Sequence, residues 1–126
     1  MRVNEVVFDG SLPFEGYGPG FFTLGGERHD GSLIVSGDGV QPWAGYVDPA
    51  PILALVDKID FILLGTGAEI AHPPTAFRTA LEEAGIGIEP MATPSACRTY
   101  NVLLSEGRRV AAVVLALPAE DAAAGA

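Results

Sequence analysis

The nine residues from Thr93 to Asn101, TPSACRTYN, hold the only cysteine of the chain beside an arginine, a tyrosine, an asparagine and three aliphatic hydroxyls. They also read as a helix start, because a short hydroxyl at Thr93 or Ser95 can cap the amides of a first turn. A thiol at that position feels the partial positive charge of a helix N-terminus, which favours the nucleophilic thiolate. Covalent chemistry would also want a base, and His29 and His72 are the only histidines, neither in a recognisable cysteine-protease context. At about 100° per residue, Ala96, Cys97, Tyr100, Leu103 and Leu104 share one face, with Cys97 at its margin, while Arg98, Asn101 and Ser105 share the other. The structural reading of Cys97 is favoured over the reactive one, Tyr100 reads as a core aromatic, and no catalytic residue is assigned. Arg98 and Asn101, beside the hydroxyls of Thr93 and Ser95, suit a carboxylate or phosphate receptor as well as they suit a solvated polar face.

A second segment, LLGTGAEIAHPP, places Gly65, Thr66 and Gly67 directly after an apolar run. Open α/β sheets bind ligands at such strand ends, where small residues let backbone amides approach an anion. The pattern is neither a Walker loop nor GxGxxG, and by itself it reads as a tight strand-to-helix turn. Its interest lies in combination, since GTG and TPSACR each follow a strand and precede a helix. In a parallel arrangement both fall at one sheet edge. Glu69 and His72 lack the further ligands a zinc ion needs, and Glu82 and Glu83 read as a solvated helix face. Neither a metal nor a cofactor is expected.

The elements that must position these residues divide the chain in two. In the glycine-rich first half, VVF, GFFTLG and SLIVSG read as strands joined by turns and forming a small antiparallel layer. Trp43, in VQPWAG, is expected to pack that layer onto the main sheet. In the second half, APILALVDKI reads as a short helix, DFILLGTG as a buried strand and PPTAFRTALEEAG as a helix stopped by Gly85. IGIEPM follows as a strand, PSACRTYNVLLSEG as a helix stopped by Gly107, and RRVAAVVLAL as a last strand. The expected fold is a three-layer α/β domain over residues 1–117. A mixed central sheet is flanked by two main helices, with an extra small β-layer from the N-terminal half. Residues 118–126 read as a frayed tail.

Composition narrows the partners. The chain has 126 residues, 48% of them hydrophobic and 18% charged, enough for one folded domain. Seven basic against sixteen acidic side chains give a net charge of −9, which argues against nucleic acid or an anionic membrane surface as the main partner. The N-terminus has no signal-peptide pattern and the apolar runs are too short to span a bilayer. With one cysteine and no internal disulfide, a cytoplasmic protein that is not membrane-embedded is expected. Its apolar strands permit a homodimer.

The segments DFILLGTG, GIGIEPMATPSACRTYN and EGRRVAAVVL, in that order, resemble a family of small single-domain bacterial and archaeal proteins of unknown function. That family is related to mitochondrial complex I assembly factor 3 and to the adipogenesis-associated domain protein of animals. The similarity runs along nearly the whole chain and is strongest from Asp60 to Leu115. It implies the same three-layer fold and no established enzymatic activity. It also implies a role like that of the mitochondrial relatives, which look like assembly factors that bind other proteins during respiratory complex I biogenesis. The position of Cys97 is not cysteine in every family member, which speaks against a shared thiol mechanism. The leading expectation is therefore a non-enzymatic, protein-binding assembly factor with its crevice at Gly65–Gly67 and Thr93–Asn101. The alternative is a binder of, or enzyme on, a small carboxylate or phosphate at that crevice.

Overall fold

Strands that are buried at every position must be covered on both faces, and two of them lie at the centre of the sheet. The computed structural model describes residues 11–118. In it, β4 (Leu33–Ser36) and β8 (Val110–Val114) are buried at every residue. They belong to a five-stranded mixed sheet ordered β5-β4-β8-β6-β7, with β5 (Gly39–Pro42), β6 (Phe61–Gly65) and β7 (Gly87–Met91). β6 runs parallel to both β7 and β8, whereas β4 is antiparallel to β5 and β8.

The alternation of side chains along these strands separates two cores. Leu33, Val35, Leu63, Ala112 and Val114 face α3 (Thr93–Ser105) together with Ala96, Cys97, Tyr100 and Leu104. Ile34, Ile62, Leu64, Ala111 and Val113 face α1 (Ala50–Leu53) and α2 (Thr75–Glu83), where Ile52, Phe77 and Leu81 cover them. Right-handed crossovers account for the division. α2 leads outward from β6 to β7 and α3 leads back from β7 to β8, so the reversal places the two helices on opposite faces.

A separate antiparallel sheet, β1 (Phe14–Gly18), β2 (Phe21–Leu24) and β3 (Glu27–Asp30), packs on the α3 side. Phe14 stacks against Phe22 and, edge-on, against Tyr100, with ring centroids 5.7 and 5.8 Å apart. The expected architecture is thus present, with differences in the first half. SLIVSG does not join the small layer: because it is apolar on both faces, its strand pairs with β8 inside the main sheet. β1 and β5 come from stretches read as turns, and β3 from residues given no strand reading. Glycine and charge mask their strand character, and Pro42 is tolerated because β5 lies at an edge. VVF lies outside the described residues.

Trp43 corrects an expectation. It packs on Tyr46 and Phe77, at 5.6 and 5.9 Å between centroids, on the α2 side of the main sheet, away from the small layer. The helix expected at 50–59 is shorter, Ala50–Leu53, and continues as turns with bonds such as Leu55 N–H to the Ile52 carbonyl. α2 and α3 stop where expected. At both ends a left-handed glycine, Gly85 (φ 86°) or Gly107 (φ 74°), closes a Schellman turn through Ile86 N–H to Leu81 O or Arg108 N–H to Leu103 O. Among the described residues no helix is long and apolar enough to cross a membrane.

Candidate functional site

The loops after β6 and β7 leave the carboxyl edge of the sheet for opposite faces, and there the structure brings Gly65, Thr66, Gly67 and Thr93 together. The approach of β6 to α3 is close enough to need glycine: a Cβ on Gly65 would lie 2.8 Å from Thr93 Oγ1 and 2.9 Å from Val114 Cγ1. Thr93 is fully buried. Its hydroxyl donates to the Leu115 carbonyl at 2.8 Å and accepts from Gly67 N–H at 2.9 Å, while its own N–H donates to the Gly67 carbonyl at 2.8 Å. One side chain thereby joins the end of β6, the start of α3 and the end of β8.

Thr66 performs the corresponding task on the loop side. Its N–H donates to the Met91 carbonyl at 2.9 Å. Its hydroxyl donates toward the Glu69 carbonyl at 2.7 Å, with the Met91 carbonyl at 3.1 Å, and accepts from Ala71 N–H at 3.0 Å. The loop that carries Ile70 and His72 is therefore held at several points along its backbone. An anion entering this crevice would find the Thr66, Gly67 and Thr93 amides already engaged with protein acceptors.

The remaining residues of the TPSACRTYN segment separate by direction. The helix begins at Thr93 itself with Ala92 as N-cap and no side-chain cap bond, so neither Thr93 nor Ser95 caps it. Cys97 lies in the core at 2% exposure. Burial pushes its thiol up to about 12, with the Arg98 charge pulling weakly the other way. Burial and the raised value both favour the protonated thiol at neutral pH, in keeping with the structural reading of Cys97.

Asn101 does not share the solvated face expected for it beside Arg98. Half-buried, it reaches β1: Oδ1 accepts from Phe14 N–H and Nδ2 donates to the Phe14 carbonyl, both at 2.8 Å. Its amide mimics a neighbouring strand and closes the edge of the small sheet. Arg98 stays outside and exposed, and among the described residues its side chain makes a 3.4 Å contact from Nη2 to Ser95 Oγ.

A feature not recognised in the sequence lies at the opposite, amino edge of β6 and β8, where a hollow of about 470 Å³ opens beside Lys58, Arg108 and Arg109. These are three of the seven basic residues in an acidic chain. The signal was present, since Lys58 lies just upstream of β6 and the Arg108–Arg109 pair directly precedes β8, the two strands being parallel partners.

The profile of the protein family of unknown function DUF498/DUF598 matches residues 14–115, a span that includes both edges. The chain belongs to this family. The matched span contains the segments from Asp60 to Leu115 that carried the resemblance. Among similar proteins, an uncharacterized protein of Rhodobacter capsulatus is 48% identical over 118 residues, covering 94% of this chain and 95% of the relative. The NADH dehydrogenase (ubiquinone) 1 alpha subcomplex assembly factor 3 of Mus musculus is 29% identical over 133 residues, covering 98% of this chain and 71% of its own. The crystal structure of an outer membrane protein from Bartonella henselae superposes with a TM-score of 0.79 at 36% identity, covering 87% of this chain and 98% of that one. The DUF498/DUF598 fold described above is thus shared with a solved structure.

Proposed function

We propose that this protein works by binding another protein, as an assembly-factor-like component in the biogenesis of a membrane-bound respiratory complex, from the cytoplasm. The contact is carried by the carboxyl edge of the sheet. The observation that supports this reading most is Ile70, 67% exposed on the loop that Thr66 holds in place. A large apolar residue on a fixed loop loses little conformational freedom on docking, so more of its burial appears as affinity. Ser95, Arg98 and the exposed Val102 form a stripe along the outer side of α3, offering a guanidinium beside apolar surface.

In this reading Ser95 and Arg98 meet the partner, while Gly65, Thr66, Gly67, Thr93 and Asn101 position them and Cys97 packs beneath. The likeness to the mouse complex I assembly factor supports the class of role. The net charge of −9 supports a protein partner over nucleic acid. The test is crosslinking in the protein's own cells followed by recovery of tagged wild type, Ile70→Ser and Arg98→Ala. Each substitution is expected to weaken retention of the wild-type partner set about tenfold with an unchanged unfolding midpoint. Retention of the full set by a folded Ile70→Ser, Arg98→Ala double variant would overturn the proposal.

A further inference from the structure

The hollow at the amino edge combines two chemistries. Its floor is apolar, formed by Ile59, Leu104 and Val110, and its rim carries Lys58, Arg108 and Arg109. The rim cations are not equivalent. Lys58 Nζ lies 2.8 Å from Asp38 Oδ2, and Arg109 Nε lies 3.5 Å from Asp60 Oδ1 while its Nη2 donates to the Asp57 carbonyl at 3.2 Å. Arg108 sits over the Phe61 ring, 5.7 Å from its centroid, and has no carboxylate partner among the described residues. The Schellman turn at Gly107 fixes the backbone from which its side chain leaves, and the ring contact lies along that side chain's course. The same turn occupies the Leu103 and Leu104 carbonyls with the Arg108 and Gly107 amides, so these α3 carbonyls are not left open toward an anion.

One unmatched guanidinium fits one negative charge. A phosphate dianion would bring a second negative charge against Asp38 and Asp60, whereas a carboxylate brings one and still engages the arginine fork with two parallel bonds. The floor then needs an apolar body behind that charge. A volume of about 470 Å³ falls within the range of small-molecule pockets. The hydroxyls of Ser11 and Ser36, both nearly buried, add polar contacts at the wall. We infer that this hollow binds a small carboxylate with an apolar body, its charge on Arg108 and its body on Ile59, Leu104 and Val110. The site is separate from the proposed docking edge, at the other end of the parallel strands.

The test follows backbone amide chemical shifts of the full chain during titration with octanoate, octanamide and acetate. Octanoate is expected to saturate at millimolar concentration, with shifts centred on Ser36, Leu104 and Val110. Octanamide and acetate are each expected to bind about tenfold more weakly, the first lacking the charge and the second the body. Arg108→Gln, at an exposed position, is expected to weaken octanoate about tenfold and leave the unliganded spectrum otherwise intact, while Arg28→Gln on β3 leaves affinity unchanged. No saturable shift, shifts centred on Gly65–Gly67, or equal affinity for octanamide or for the Arg108→Gln protein would each overturn the inference.

Discussion

The two edges of the central sheet use different residue types to different ends. At the carboxyl edge the hydroxyls and glycines are short and buried or half-buried, and their donors and acceptors meet one another: Thr93 alone makes three hydrogen bonds to Gly67 and Leu115. At the amino edge the side chains are long, charged and exposed around an open hollow. A cluster of small polar residues at strand ends can therefore be a fastening, with function carried by what it holds outward. The more open chemistry lies where long cations precede strands.

Substitutions should separate the edges by their effect on stability, with the largest losses at the fastening. Thr93→Val keeps the shape but leaves Gly67 N–H and the Leu115 carbonyl without their partner, and is expected to cost about 3 kcal/mol in urea unfolding. Thr93→Ser should cost clearly less, because it keeps the hydroxyl. Gly65→Ala forces a methyl against Thr93 and Val114, and about 2 kcal/mol is expected by the same measurement. Asn101→Ala should cost about 1–2 kcal/mol and raise hydrogen exchange in β1 ahead of the main sheet, since it removes both bonds to Phe14.

Cys97 gives an effect of a different kind, one that depends on pH. Its folded-state value is raised from 9.0 to about 12, so between those limits the folded protein holds a proton that the unfolded chain releases. Stability is then complete below about pH 9 and declines toward pH 12. Unfolding curves should show that decline in wild type and a shallower one in Cys97→Ala. At the amino edge, Arg108→Gln should change stability by less than about 0.5 kcal/mol. A large loss there would erase the contrast between the edges.

Much of this arrangement was legible in the residues. Apolar runs and stop glycines marked β6, α2, α3 and β8, because burial on both faces and a left-handed C′ residue leave direct traces in sequence. The meeting of GTG with TPSACR followed from the parallel order. The inward use of Thr93 and Asn101 was not legible, because their partners are backbone groups 22 to 87 residues away. Helical spacing gives the angle of Asn101 but not the strand that β1 brings to it. β3, ERHD, has no strand pattern of its own and exists by pairing with β2. Trp43 was misplaced because its partner, Phe77, lies on a helix 34 residues later whose face depends on the crossover.

The central claim is that the carboxyl edge acts through outward side chains held by an inward fastening. The most direct test recovers crosslinked partners with wild type, Arg98→Ala and Arg108→Ala in parallel. Loss of a discrete partner set in Arg98→Ala and its retention in Arg108→Ala is the result this account predicts. Retention in folded Arg98→Ala with loss in Arg108→Ala would contradict it and move the docking surface to the amino edge.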